Sequence, residues 1–202
     1  MIKVKNFLYF FLSVILISCN SNDSGNSKIA TDAKKVQIDF LKTKIAIPDS
    51  YVEVSLDDFK EKLSNAQGEH FFKVLTKEKI LNLESTLQKF KIFIDKDNVE
   101  NVIWVFLGKY VSLNKELAKW FSIQHKQEFN DRYAQLGCTY TQTENKFLTA
   151  RKFSAIKIKS IVEKFGNKKY QTEYIISLNK KTFGVFISNY EDINFDNYIR
   201  LI

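Results

Sequence analysis

Residues 153–187 read FSAIKIKSIVEKFGNKKYQTEYIISLNKKTFGVFI, and this stretch decides the fold. Three strand-like runs, Phe153 to Val162, Tyr170 to Leu178 and Phe183 to Ile187, are parted only by Phe165-Gly166-Asn167-Lys168-Lys169 and Asn179-Lys180-Lys181. Connections this short can join only neighbouring antiparallel strands, so the segment is expected to be a meander. Side chains alternate across a strand, which puts Tyr170, Thr172, Tyr174, Ile176 and Leu178 on one face of theirs and Ile156, Ile158 and Val162 on one face of theirs.

Working upstream, the period changes to that of a helix. Leu113, Leu117, Trp120, Phe121, Phe129, Tyr133 and Leu136 fall mostly at helical spacing after Ser112, with Gly137 as a stop, so a long helix is expected over 113–136. Before it, Ile92 and Ile94, the turn Asp95-Lys96-Asp97-Asn98 and the apolar run Val102 to Leu107 predict a hairpin. A second helix is expected over 77–89 on Ile80, Leu83, Leu87 and Phe90, and a first over 55–66, where Ser55 and Asp58 make a capping box ahead of Leu56, Phe59 and Leu63. Val36, Ile38, Phe40, Ile45, Ile47, Tyr51, Val52 and Val54 predict an opening strand pair around the turn at Pro48-Asp49-Ser50. Downstream, Asn194 can cap a short closing helix carrying Phe195, Tyr198, Ile199 and Ile202. The fold class expected is α+β, an antiparallel sheet with a C-terminal meander covered by helices, in one globular domain over 36–202.

Two stretches carry a likeness to a known fold. Lys44-Ile45-Ala46-Ile47-Pro48 to Tyr51 precedes a helix, and Tyr174 to Ile202 gives a hairpin and then an amphipathic helix. With the element order, they resemble the PsbP-like α-β-α sandwich. PsbP itself assists the photosynthetic oxygen-evolving complex, but this chain shows no signature of that role, and the likeness implies a fold alone.

The chain opens with Lys3 and Lys5, an apolar run from Phe7 to Ile17 broken only by Ser13, and then Leu16-Ile17-Ser18-Cys19. That is export-signal grammar, and Asn20-Ser21-Asn22-Asp23 ends the run before it is long enough to span a bilayer. The end of the run resembles the lipobox of bacterial lipoproteins. The resemblance implies a signal peptide over 1–18, a diacylglycerol on the Cys19 sulfur, and often an acyl chain such as palmitate on the new amine. Two or more chains hold firmly where one holds marginally. Residues 19–35 then read as the lipidated cysteine and a tether, since Asn20 to Lys35 is almost without apolar residues. Sixteen such residues reach about 5–6 Å × √16, roughly 20–24 Å. The expected location is the cell envelope, at a membrane, the outer favoured over the inner.

Composition bounds the rest. Losing residues 1–18 removes two lysines and no acids, so the net charge falls from +8 to +6. Spread along the chain, that excess argues for solubility and mild attraction to anionic surfaces, not for a nucleic-acid groove. With Cys19 lipidated, Cys138 has no partner for a disulfide, so stability must come from a core.

Reading for chemistry yields no catalytic residues, metal ligands or cofactor. The histidines are His70 and His125; on a continuous helix His125 would lie about 13 × 1.5 ≈ 20 Å along the axis from Cys138, too far for a dyad. His125 with Glu128, and Glu69 with His70, are few ligands for a metal and are expected to be exposed polar groups. Asp95 to Glu100 lacks the glycine and late glutamate of a calcium loop. No GxxxxGK[ST], GxGxxG or GxSxG occurs. Lys157, Lys159, Lys164, Lys168 and Lys169 gather on and around one hairpin. They read either as a solvated face with cross-strand charge pairs opposite Glu173 or as a surface for an anionic partner. Trp104, Trp120 and Phe121 are expected in the core. The functional expectation is a lipid-anchored envelope protein, a non-catalytic binding or assembly-support domain with an envelope protein as partner. The alternatives are an envelope hydrolase with a site built from scattered carboxylates and an immunity-type protective lipoprotein.

Overall fold

The computed structural model describes residues 28–29, 32–66, 76, 80 and 89–202. Cys19, His70 and most of the helix expected over 77–89 lie outside the described residues, although Thr76 and Ile80 are helical and Ile80 is buried. The elements in order are β1 (Lys28–Ile29), β2 (Ala33–Ile38), β3 (Thr43–Pro48), β4 (Tyr51–Val54), α1 (Leu56–Asn65), β5 (Phe90–Asp95), β6 (Val102–Gly108) and α2 (Lys115–Gln135). They continue with β7 (Thr139–Thr149), β8 (Phe153–Lys164), β9 (Asn167–Leu178), β10 (Lys181–Asn189), β11 (Ile193–Asn194) and α3 (Asp196–Ile199).

Seven strands form one antiparallel sheet in the order β4-β5-β6-β10-β9-β8-β7. The chain lays down β4, β5 and β6, crosses through α2 to the far edge, and walks back along the meander. β10 therefore arrives last and closes the centre, pairing with β6 from Thr182↔Gly108 to Ser188↔Val102. It fills this place because nearly all of it is buried, as a strand covered on both faces must be. At Gly184 the Phe106 ring lies across the strand where a Cβ would otherwise stand.

On one face, α1 sets Phe59 and Leu63 against Ile92, Ile94, Trp104 and Phe186, while α2 covers the β7–β9 end through Ala118 over Ile156 and Ile158 and through Tyr133 over Val162. Ser55 caps α1, its Oγ accepting from Asp58 N–H at 3.1 Å and donating to Asp58 Oδ2 at 2.6 Å. On the other face, Phe93, Ile103, Val185, Tyr174 and Ile176 pack under the β2–β3 hairpin and α3. Asn194 does not cap α3 as expected: the N-cap is Phe195, without a side-chain bond, and Asn194 Oδ1 instead accepts Asp196 N–H at 2.9 Å in the turn before it.

Four expectations need correction. The opening hairpin turns at 39–42, and Pro48 to Ser50 instead carries the chain from that hairpin into the main sheet, where β4 pairs with β5. The tether does not extend to residue 35: Ala33 to Lys35 pair with Ala46 to Pro48, and Lys28–Ile29 lie parallel to Ile193–Asn194. A fourth long meander strand, β7, precedes the three expected. Trp120 is 58% exposed, whereas Trp104 is fully buried.

Candidate partner face and the polar seams beneath it

α2 is held at both ends by its own sequence. Asn114 Oδ1 accepts Leu117 N–H at 2.7 Å at the start. At the finish, Gly137 takes φ +69°, with Gly137 N–H bonded to Ala134 O and Cys138 N–H to Tyr133 O. That is a Schellman stop, and it needs a residue at ease in the left-handed region.

The buried side of α2 is a stripe of Ala118, Ser122, His125 and Tyr133, small or polar where an aliphatic seam would be usual. Hydrogen bonds therefore share the fastening. His125 lies 3.1 Å through Nε2 from Glu173 Oε2 and 3.1 Å through Nδ1 from Tyr140 Oη. The chain is satisfied when Tyr140 donates to Nδ1 and Nε2–H donates to Glu173. Phe129 stacks on the imidazole at 4.1 Å, Gln142 donates to Ser122 at 2.6 Å, and Tyr133 donates to Gln171 at 3.1 Å. Burial pushes the Tyr140 hydroxyl up to about 12, the Glu173 charge adding to it against a bond with Ser160. His125 is thus an interior residue, not the exposed helix group its sequence context suggested. Cys138 donates to Leu136 O at 3.6 Å, and burial raises its thiol, the state of an inert cysteine.

The outward side of α2 is different in kind. Trp120 and Ile123, three residues apart and hence neighbours on the helix surface, are 58% and 55% exposed. Tyr110 and Val111, in the loop leading to α2, are also exposed. That loop is pinned to the sheet by Thr182, whose Oγ1 accepts from Val111 N–H at 2.8 Å.

The five lysines do not make one surface. Lys157 is 4% exposed and lies 2.9 Å from both Glu144 Oε2 and Asp196 Oδ1, while Lys159 pairs with Asp192; these two are on the face covered by the C-terminal segment. Lys164 and Lys169 point to the α2 side. Lys164 donates to Leu136 O at 2.8 Å, and Lys169, 3% exposed, donates to Glu100 O at 2.8 Å with Tyr190 beneath its ammonium at 4.4 Å. Lys168 lies 3.5 Å from Glu163 at the hairpin end. The strand pleat divides the set between the two faces of the sheet, so the five lysines do not form one common surface. Glu173 is opposite Ile158.

Glu144 and Asp196 share the Lys157 ammonium. Burial alone would raise both carboxyls, but hydrogen bonds from Lys146 and Lys157 to Glu144, and from Tyr174 and Lys157 to Asp196, hold both below the usual carboxylate range. They are two bases in one state, not an acid and a base set apart. Among the described residues, no group of three or more His, Cys, Asp or Glu is placed to hold a metal ion, and no helix is long and apolar enough to cross a membrane.

No protein-family model matches the chain, and no curated protein matches it. Among solved structures it is similar to the solution structure of cyanobacterial PsbP (CyanoP) from Synechocystis sp. PCC 6803, with a TM-score of 0.51 and 13% identity over 93% of each chain. The fold is PsbP-like. The PsbP-like sandwich accounts for the sheet and its two covering layers, as expected from the element order, and at this identity it carries no residue role across.

Proposed function

We propose that this chain is a lipid-anchored cell-envelope protein whose PsbP-like body binds a protein partner, or supports an assembly, through the outer face of α2. The observation that carries the reading is Trp120 beside Ile123, a large exposed apolar pair on a helix whose opposite side is fastened by four hydrogen bonds. Aromatic anchors of this kind dominate protein interfaces. The anchoring half rests on Leu16-Ile17-Ser18-Cys19 and its flanks, and it places the body at an envelope membrane, the outer favoured. The hydrolase alternative gains nothing from Glu144 and Asp196, whose titrations move together. An immunity-type protein would show one tight partner on this same face.

The test has two arms. Labelled fatty acid should enter the wild-type chain and not Cys19→Ala; equal labelling of both removes the anchor. A photo-crosslinker at position 120 or 123 should join one envelope protein, whereas the same group at exposed Lys44 should not. Equal products from all three positions, or none from 120 and 123, removes the partner face.

A further inference from the structure

Among the described residues, two hairpins are closed by two-residue turns with both residues at positive φ. Asn179-Lys180, at +49° and +58°, is polar throughout. The other is Phe165-Gly166, at +51° and +81°, between β8 and β9. Such turns favour Asn, Asp and Gly, and a bulky side chain in the left-handed region is disfavoured. Phe165 nevertheless occupies the first place and is 88% exposed, so its ring gains little from the fold in return. A Cβ added at Gly166 would meet nothing within 4 Å, so the turn is open to its surroundings at that residue too.

We propose that the Phe165 tip is a wedge that enters the interfacial layer of an anionic phospholipid bilayer. A lone ring buries about 150–250 Å², far below the roughly 1,000 Å² of a protein interface, whereas a bilayer accepts a single apolar side chain at headgroup depth. The charges around it suit that surface. The Lys164 ammonium lies 5.4 Å from the Phe165 ring centroid while donating to Leu136 O, and Lys168 stands at the other strand end, offset by Glu163. Long lysine stems let such ammoniums stay with phosphates while the ring goes deeper.

Geometry also lets the tip share a membrane with the anchor, and in this respect the inference rests on the lipidation reading. Lys28 pairs with Ile193, whose neighbour Asp192 holds Lys159, six residues before Phe165 along β8. Six strand residues span about 20 Å, and the nine residues from Cys19 to Lys28 extend to about 30 Å at most.

The experiment uses the full chain as purified from membranes, reconstituted into vesicles of phosphatidylethanolamine and phosphatidylglycerol with ordinary or brominated acyl chains. The difference in tryptophan emission between Phe165→Trp and the wild type isolates the introduced indole, and intact mass reads acylation of Cys19 separately. The expected result is a blue-shifted component that brominated chains extinguish and that weakens in vesicles of phosphatidylcholine alone. Acylated protein whose introduced indole keeps solvent-like, unquenched emission overturns the wedge and leaves the anchor standing. Quenching without acylation overturns the anchor and leaves the wedge, and neither signal overturns both.

Discussion

The ammonium of Lys157 stands between two carboxylates with almost no water, and Tyr174 completes the cluster by donating to Asp196 Oδ1 at 2.6 Å. Lys157→Met would leave Glu144 and Asp196 facing one another across a covered site, and removing one partner of a buried ionic cluster costs about 3–5 kcal/mol. Urea unfolding should show a loss of that order, partly recovered by Asp196→Asn in the same background. The opposite sign is expected at Phe165. Phe165→Asn places a residue suited to positive φ in the turn and should raise stability by about 0.5–1 kcal/mol, read as a higher thermal midpoint. Lys157 shows why a site can be invisible in a sequence. Ile156-Lys157-Ile158-Lys159 is the pattern of a strand with one wet face, and the carboxylates that pair with Lys157 stand 13 and 39 positions away from it.

At the scale of elements, α2 was legible in its length and stop because its caps are local. Asn114→Ala should cost about 1 kcal/mol, the usual worth of such a cap, and the loss should appear as faster amide exchange in the first turn of α2. What the sequence could not show is how the helix is fastened, since Ser122 and His125 look like surface residues until Gln142 and Glu173 are brought under them. The same polarity hid β7. Its sequence, TYTQTENKFLT, has no apolar alternation, because its inward groups Tyr140, Gln142 and Glu144 are partners of the polar seams. Replacing the imidazole by an isosteric ring tests the fastening: His125→Phe retains stacking on Phe129 and loses two hydrogen bonds, a cost of about 1–3 kcal/mol. If chemical denaturation registers no change, the seam does not hold α2.

For the whole molecule, the buried ionisable groups predict the shape of stability against pH. Glu144 and Asp196 lie below their ordinary values, so their contribution is complete above the unfolded carboxylate range and is lost as pH falls through their folded values. At the alkaline side, burial brings Lys169 down to about 8 against the pull of Glu100. Its folded amine gives up a proton before the unfolded one does, so stability should rise from about pH 8 toward the ordinary lysine value. Burial holds Tyr51, Tyr133 and Tyr174 above the usual tyrosine value, and their contribution is lost once the unfolded hydroxyls ionise above about 10. Urea midpoints across this range should therefore climb and then fall, and Lys169→Met should flatten the climb. Most of the sheet and its covering helices could be read from periodicity, because apart from β7 and the start of β2 each long strand and helix declares itself within a few residues. The charge pairs that set this pH profile join segments far apart in sequence.

The two-residue ladder between Lys28–Ile29 and Ile193–Asn194 has a mechanical meaning. Traction applied ahead of Lys28 meets this short ladder first, and the closing segment it pulls on is tied to β8 by the pairs Asp192–Lys159 and Asp196–Lys157. A molecule hung from its start would yield in small, reversible steps at that clasp, sparing the sheet as a sacrificial link spares a chain.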